Sequence, residues 1–100
     1  MNRRDLKRWV EANNVGLAAR GVRAHFGFAP SLDRGERPSW VSFVSASGSG
    51  RLVREADGSS RVDAHAFADG ACLRHERHDD TSVEQLQALL DVLTVRAVVR

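Results

Sequence analysis

The stretch from Arg51 to Arg77 reads RLVREADGSSRVDAHAFADGACLRHER, and it decides the fold. Two dipeptides of one kind, Asp57-Gly58 and Asp69-Gly70, separate three runs in which apolar and polar residues alternate. Asp-Gly between alternating runs is a strong local signal for a β-hairpin, because the tight turns that match strand twist need a positive φ that these residues tolerate. The pattern predicts strands over about 51–56, 60–68 and 71–77. With each turn read as even in length, Val53, Val62, Ala64, Ala66 and Leu73 share one face, while Arg54, Arg61, Asp63, His65, Phe67, Arg74 and Glu76 share the other. The first set is the expected core face. Several of its members are small, so whatever covers it must come close to reach interior packing density.

Upstream, residues 39–46 are rich in β-formers. Trp40, Val41, Phe43 and Val44 fall on both sides of that run, which predicts a strand that is central in the sheet or covered on both faces rather than a solvated edge. The Ser/Gly patch at 45–50 between it and the next strand reads as a turn. From Val22 to Phe28, Val22, Ala24, Phe26 and Phe28 alternate with Arg23, His25 and Gly27, the signature of a half-buried strand. Two prolines and Gly35 make 29–38 a surface loop.

A helix is expected at each end. Over about 2–13, Leu6, Trp9 and Val10 recur at helical spacing, and Asn13, Asn14 and Gly16 signal its stop. Over about 82–93, Val83, Leu86, Leu89, Leu90 and Leu93 form one stripe. Thr81 is placed to cap that helix, Glu84 to reach back to the cap, and Asp79 and Asp80 to favour its positive end. The expected fold is α+β: an antiparallel meander of four or five strands with an N-terminal and a C-terminal helix packed on one face, all in a single domain over 1–100.

Composition narrows the function classes. The chain is 42% hydrophobic and 28% charged, ordinary globular usage rather than the signature of disorder. Fourteen of its 15 basic residues are arginine, but 13 carboxylates leave a formal net charge of +2, a weak field that argues against a nucleic-acid footprint. No apolar run approaches the roughly 20 residues that cross a bilayer, and no apolar segment follows the N-terminal charges, so a cytoplasmic protein without membrane contact is expected. Cys72 is the one cysteine, which excludes an intrachain disulfide.

No catalytic, cofactor or metal site is expected. His65, Cys72, His75, Glu76, His78, Asp79 and Asp80 are zinc-type ligands, yet residues three apart on a strand point to opposite faces, so His75 and His78 should diverge. Around Cys72 there is no sign of an oriented base or oxyanion hole, and Gly48-Ser49-Gly50 lacks the strand-turn-helix context of a nucleophilic serine. Neither does a helix N-terminus follow Ser47-Gly48-Ser49-Gly50-Arg51 to complete a phosphate cradle. The mixed-charge face holding Arg54, Arg61, Asp63, His65, Phe67, Arg74 and Glu76 is the candidate partner interface, since arginine and aromatics are favoured at protein contacts.

The layout resembles the TriTu family of small immunity proteins from bacterial polymorphic toxin systems. The resembling parts are Leu6-Lys7-Arg8-Trp9-Val10-Glu11, Ser39-Trp40-Val41-Ser42-Phe43, Gly50-Arg51-Leu52, the Gly58 turn into Val62-Asp63-Ala64, and Thr81-Ser82-Val83-Glu84-Gln85-Leu86. That resemblance implies a cytoplasmic antidote that binds a cognate toxin protein and blocks it by occlusion, with no catalysis of its own. The alternative is a small nucleic-acid-binding module using Arg3, Arg4, Arg8, Arg51, Arg54 and Arg61. An edge strand such as 22–28 also offers a route to a homodimer.

Overall fold

In the computed structural model, which describes residues 1–29 and 37–98, helix α1 (Arg3–Ala19) leads into five strands. They are β1 (Arg23–Phe28), β2 (Ser39–Val44), β3 (Gly48–Arg54), β4 (Ser60–Ala66) and β5 (Cys72–His78), and helix α2 (Val83–Val98) closes the chain. The strands form one antiparallel sheet in the order β1-β2-β3-β4-β5, so the fold is the expected α+β meander with β1 and β5 as its edges. The loop read at 29–38 falls mostly on 30–36, outside the described residues. Among the described residues no helix is long and apolar enough to cross a membrane.

Helix α1 runs six residues beyond Asn13, past the expected stop. Asn13 Nδ2 donates to the Trp9 carbonyl (2.8 Å), a bond that keeps the side chain on the helix. Burial of Leu17 then rewards another turn. The true end is a Schellman motif: Gly21, at φ 79°, donates to the Ala18 carbonyl, and Val22 donates to the Leu17 carbonyl (2.9 Å), with both hydrophobic partners buried. At the other end Asn2 and Asp5 form a reciprocal capping box, at 2.9 and 3.0 Å.

Helix α2 is capped by Ser82 rather than Thr81, since the Ser82 hydroxyl accepts from the Gln85 amide (3.3 Å). Thr81 instead donates to the Gly58 carbonyl, tying the helix start to the β3–β4 turn. Buried Gln85 accepts from Ser60 and donates to Asp80, fastening α2 to β4. Val83 is 39% exposed and lies outside the stripe that Leu86, Leu89, Leu90 and Leu93 bury.

Both helices cover one face of the sheet. Leu6, Val10 and Leu17 of α1 and the four leucines of α2 join Val41, Phe43, Leu52, Val62 and Ala64 in one buried cluster, with Trp9 packed edge-to-face on Phe43 (5.9 Å). Helix α1 lies against β1 and β2 and α2 against β3 and β4, so β5 sits at the margin of the covered area. The Ser/Gly patch is not a flexible turn. Gly48 and Gly50 already belong to β3, because a Cβ at Gly50 would lie 2.7 Å from Leu89 Cδ1 and one at Gly48 would collide with the His65 carbonyl. The Ser47 hydroxyl donates to the Leu93 carbonyl (3.1 Å), fixing the C-terminal half of α2 to the β2–β3 turn.

Two register features overturn the expected face assignment. The β3–β4 connection has three residues between Glu55 and Ser59, Ala56-Asp57-Gly58, with Gly58 at φ 93°, so Arg54 pairs with Ser60 and Leu52 with Val62. Leu52 and Arg54 therefore face the helices and Val53 faces away. On β5, Leu73 is the extra residue of a bulge: His65 pairs with Cys72 but Ala64 with Arg74. That single insertion turns Arg74, Glu76 and His78 to the helix side. β2 is internal to the sheet, one of the two expectations for it, but it is covered on one face only, with Trp40 half-buried and Val44 44% exposed on the other.

Candidate functional site

The side of the sheet away from the helices is set by the register. Three rows of cross-strand neighbours run from β1 to β5: Arg23–Val44–Ser49–His65–Cys72, His25–Ser42–Arg51–Asp63–His75, and Gly27–Trp40–Val53–Arg61–Arg77. Four arginines stand in these rows against a single carboxylate, Asp63. The near-neutral balance of the whole chain is thus divided unevenly, and this face is basic.

Contacts within the rows organise those charges. Trp40 lies flat enough over the strand that a Cβ at Gly27 would meet its indole at 2.5 Å, which explains a glycine in that strand. The Arg51 guanidinium sits over the same indole, 5.7 Å from the ring centroid, an arrangement that restrains the fork of an exposed residue. His75 Nδ1 donates to Asp63 Oδ1 (2.5 Å), and Arg61 Nε donates to Glu55 Oε2 (2.7 Å). Arg23, Arg51 and Arg77 have no carboxylate partner among the described residues. An open depression of about 290 Å³ lies between the rows, lined by Ser42, Val44, Ser49, Arg51, Asp63 and His65.

The predicted interface divides between places. Arg61, Asp63 and His65 lie together on the open face, as expected. Arg54 does not: it is 8% exposed on the helix side, and its Nε donates to the Met1 carbonyl (2.9 Å). Arg74 and Glu76 are also on the helix side, paired at 2.8 Å, with His78 Nε2 donating to Glu76 at 2.9 Å. Half-exposed charges are tolerated there because α2 does not extend fully over β5. Phe67 is in the β4–β5 turn, one residue past the end of β4, and 56% exposed. Sequence reasoning left Arg23, His25, Trp40, Arg51, His75 and Arg77 out of the interface; reading the β3–β4 turn as even in length put Val53 rather than Leu52 on the core face, and no residue type marks the Leu73 bulge.

His75 and His78 do project to opposite faces, and among the described residues no group of three or more His, Cys, Asp or Glu could hold a metal ion. Cys72 is exposed, its thiol directed to the Arg74 carbonyl (3.5 Å). The arginine set of the nucleic-acid alternative is scattered: Arg3, Arg4 and Arg8 are on α1, Arg54 is buried, and only Arg51 and Arg61 share the open face. A second basic depression, about 280 Å³, lies beside β1 on the helix side, lined by Arg3, Arg4, Lys7, Phe26 and Phe28, with Arg3 over the Phe28 ring at 5.1 Å. No protein-family model matches the chain, and no curated protein and no solved structure matches it.

Proposed function

We propose that this is a binding protein that neutralises a cognate toxin by occlusion, with no chemistry of its own, and that it meets its partner through the open sheet face. The observation that carries the reading is the composition of that face. Trp40, Val44 and Val53 stand among arginines on a rigid sheet, and arginine and tryptophan are the residues that dominate protein interfaces. A sheet with helices on one side presents such a surface without conformational change, which limits the ordering entropy lost on binding. The resemblance to the TriTu immunity proteins supplies the class of partner.

The test is co-expression of the chain with the product of an adjacent open reading frame that carries a toxin domain. Rescue of growth together with co-purification of the pair is the expected result. If the chain rescues no such neighbour, or if no neighbouring frame carries a toxin domain, the proposal fails.

A further inference from the structure

Resting on that reading, we infer that the open face takes an acidic protein surface, whose carboxylates seat on Arg23, Arg51 and Arg77 around Trp40. The charge of the face requires an acidic complement: three of its four arginines lack a carboxylate partner among the described residues, and the one carboxylate in the rows is already engaged by His75. Arg51 is the best placed of the three. Stacking on Trp40 restrains its guanidinium, so less rotamer freedom is lost when the fork closes on a carboxylate.

An acidic protein fits this face better than a single nucleic-acid strand does. Sheets that bind such strands stack successive bases on several open aromatic side chains, whereas the one large ring in these rows, Trp40, lies between Arg51 and the Gly27 backbone, and of the three imidazoles His75 is held by Asp63. Asp63, beside Arg51 in the middle row, would also oppose a phosphate backbone but can accept a donor from a protein partner.

The experiment uses the full-length chain and two labelled probes of equal charge, poly-L-glutamate and oligo-dT, followed by anisotropy across a salt titration. Polyglutamate should bind more tightly than the oligonucleotide, and more weakly as salt rises. Arg51→Glu with Arg77→Glu should weaken binding by about tenfold or more, whereas Arg4→Glu with Lys7→Glu, at the second basic depression, should leave it within about twofold. Thermal unfolding checks that each variant is folded. Tighter binding of oligo-dT, binding of neither probe, or wild-type affinity in the folded Arg51/Arg77 variant each overturns the inference. The same double variant in the growth assay separates the two levels: full rescue by it defeats the acidic-surface inference and leaves the immunity reading standing. A wild-type chain that binds polyglutamate yet rescues nothing defeats the immunity reading alone.

Discussion

Leu52 lies between Val41 and Val62 and is fully buried under the helices, while Val53, one residue on, lies between Trp40 and Arg61 on the side no helix covers. The same contrast runs across β2, β3 and β4: their helix side is built mainly from leucine, valine, phenylalanine, alanine and glycines that permit close approach, and their open side from arginine, serine, Trp40, His65 and Asp63 with Val44 and Val53 among them, while on marginal β5 Arg74, Glu76 and His78 take the helix side. On a meander of this kind, parity is functional information. One residue in a turn decides whether an arginine is a buried strut, as Arg54 is, or a surface contact, as Arg51 is.

The contrast can be broken most severely from the helix side. Leu89→Ala removes a fully buried side chain from above Gly50 and should cost about 2–5 kcal/mol, read as a lower midpoint in denaturant unfolding. Gly50→Ala adds a Cβ against that same leucine and should cost about 1–3 kcal/mol. Because the two changes share one contact, the double variant should be more stable than the sum of the singles implies. Additive losses would show that Gly50 is not there for Leu89.

Next in size is the comparison of the two arginines. Arg54→Ala leaves the Met1 carbonyl without its donor and should cost about 1–3 kcal/mol, whereas Arg51→Ala, exposed, should stay within about 0.5 kcal/mol. Equal effects would contradict the face assignment. Ser82→Ala removes the α2 cap and should cost about 1 kcal/mol, with Thr81→Ala acting instead through the β3–β4 turn.

The smallest effect is electrostatic. Hydrogen bonds from the Ser59 hydroxyl and amide hold the Asp57 carboxyl below its ordinary value. A carboxyl lowered on folding contributes stability that is present above its unfolded value and lost as pH falls through its folded one. Asp57→Asn should therefore be slightly less stable than the wild type near neutrality. The two should converge in acid, as thermal midpoints across pH will show.

Element order was legible because it depends on local pattern: helical stripes at both ends, alternating runs, and Asp-Gly turns between them. What escaped was set by contacts distant in sequence. Asn13 and Asn14 read as a stop, yet burial of Leu17 carries α1 onward. Gly48 and Gly50 read as a turn because the approach of Leu89 and of the β4 backbone, which makes glycine necessary, is a tertiary fact. Asp57-Gly58 marked a turn correctly but not its length, and the Leu73 bulge carries no local mark. Three of the seven predicted interface residues, Arg61, Asp63 and His65, reached the open face because, of the three strands from which the seven were drawn, only β4 kept its expected orientation; Phe67 fell in the turn beyond its end.

Thiol alkylation of the native chain distinguishes a sealed face from a docking surface. With Cys72→Ser as background, Val53→Cys and Leu52→Cys place probes one residue apart on opposite faces. Val53→Cys should react without unfolding and be slowed by polyglutamate, while Leu52→Cys should react only as fast as the chain unfolds. Equal reactivity of the two thiols, or no protection of Val53→Cys by polyglutamate, would contradict the account.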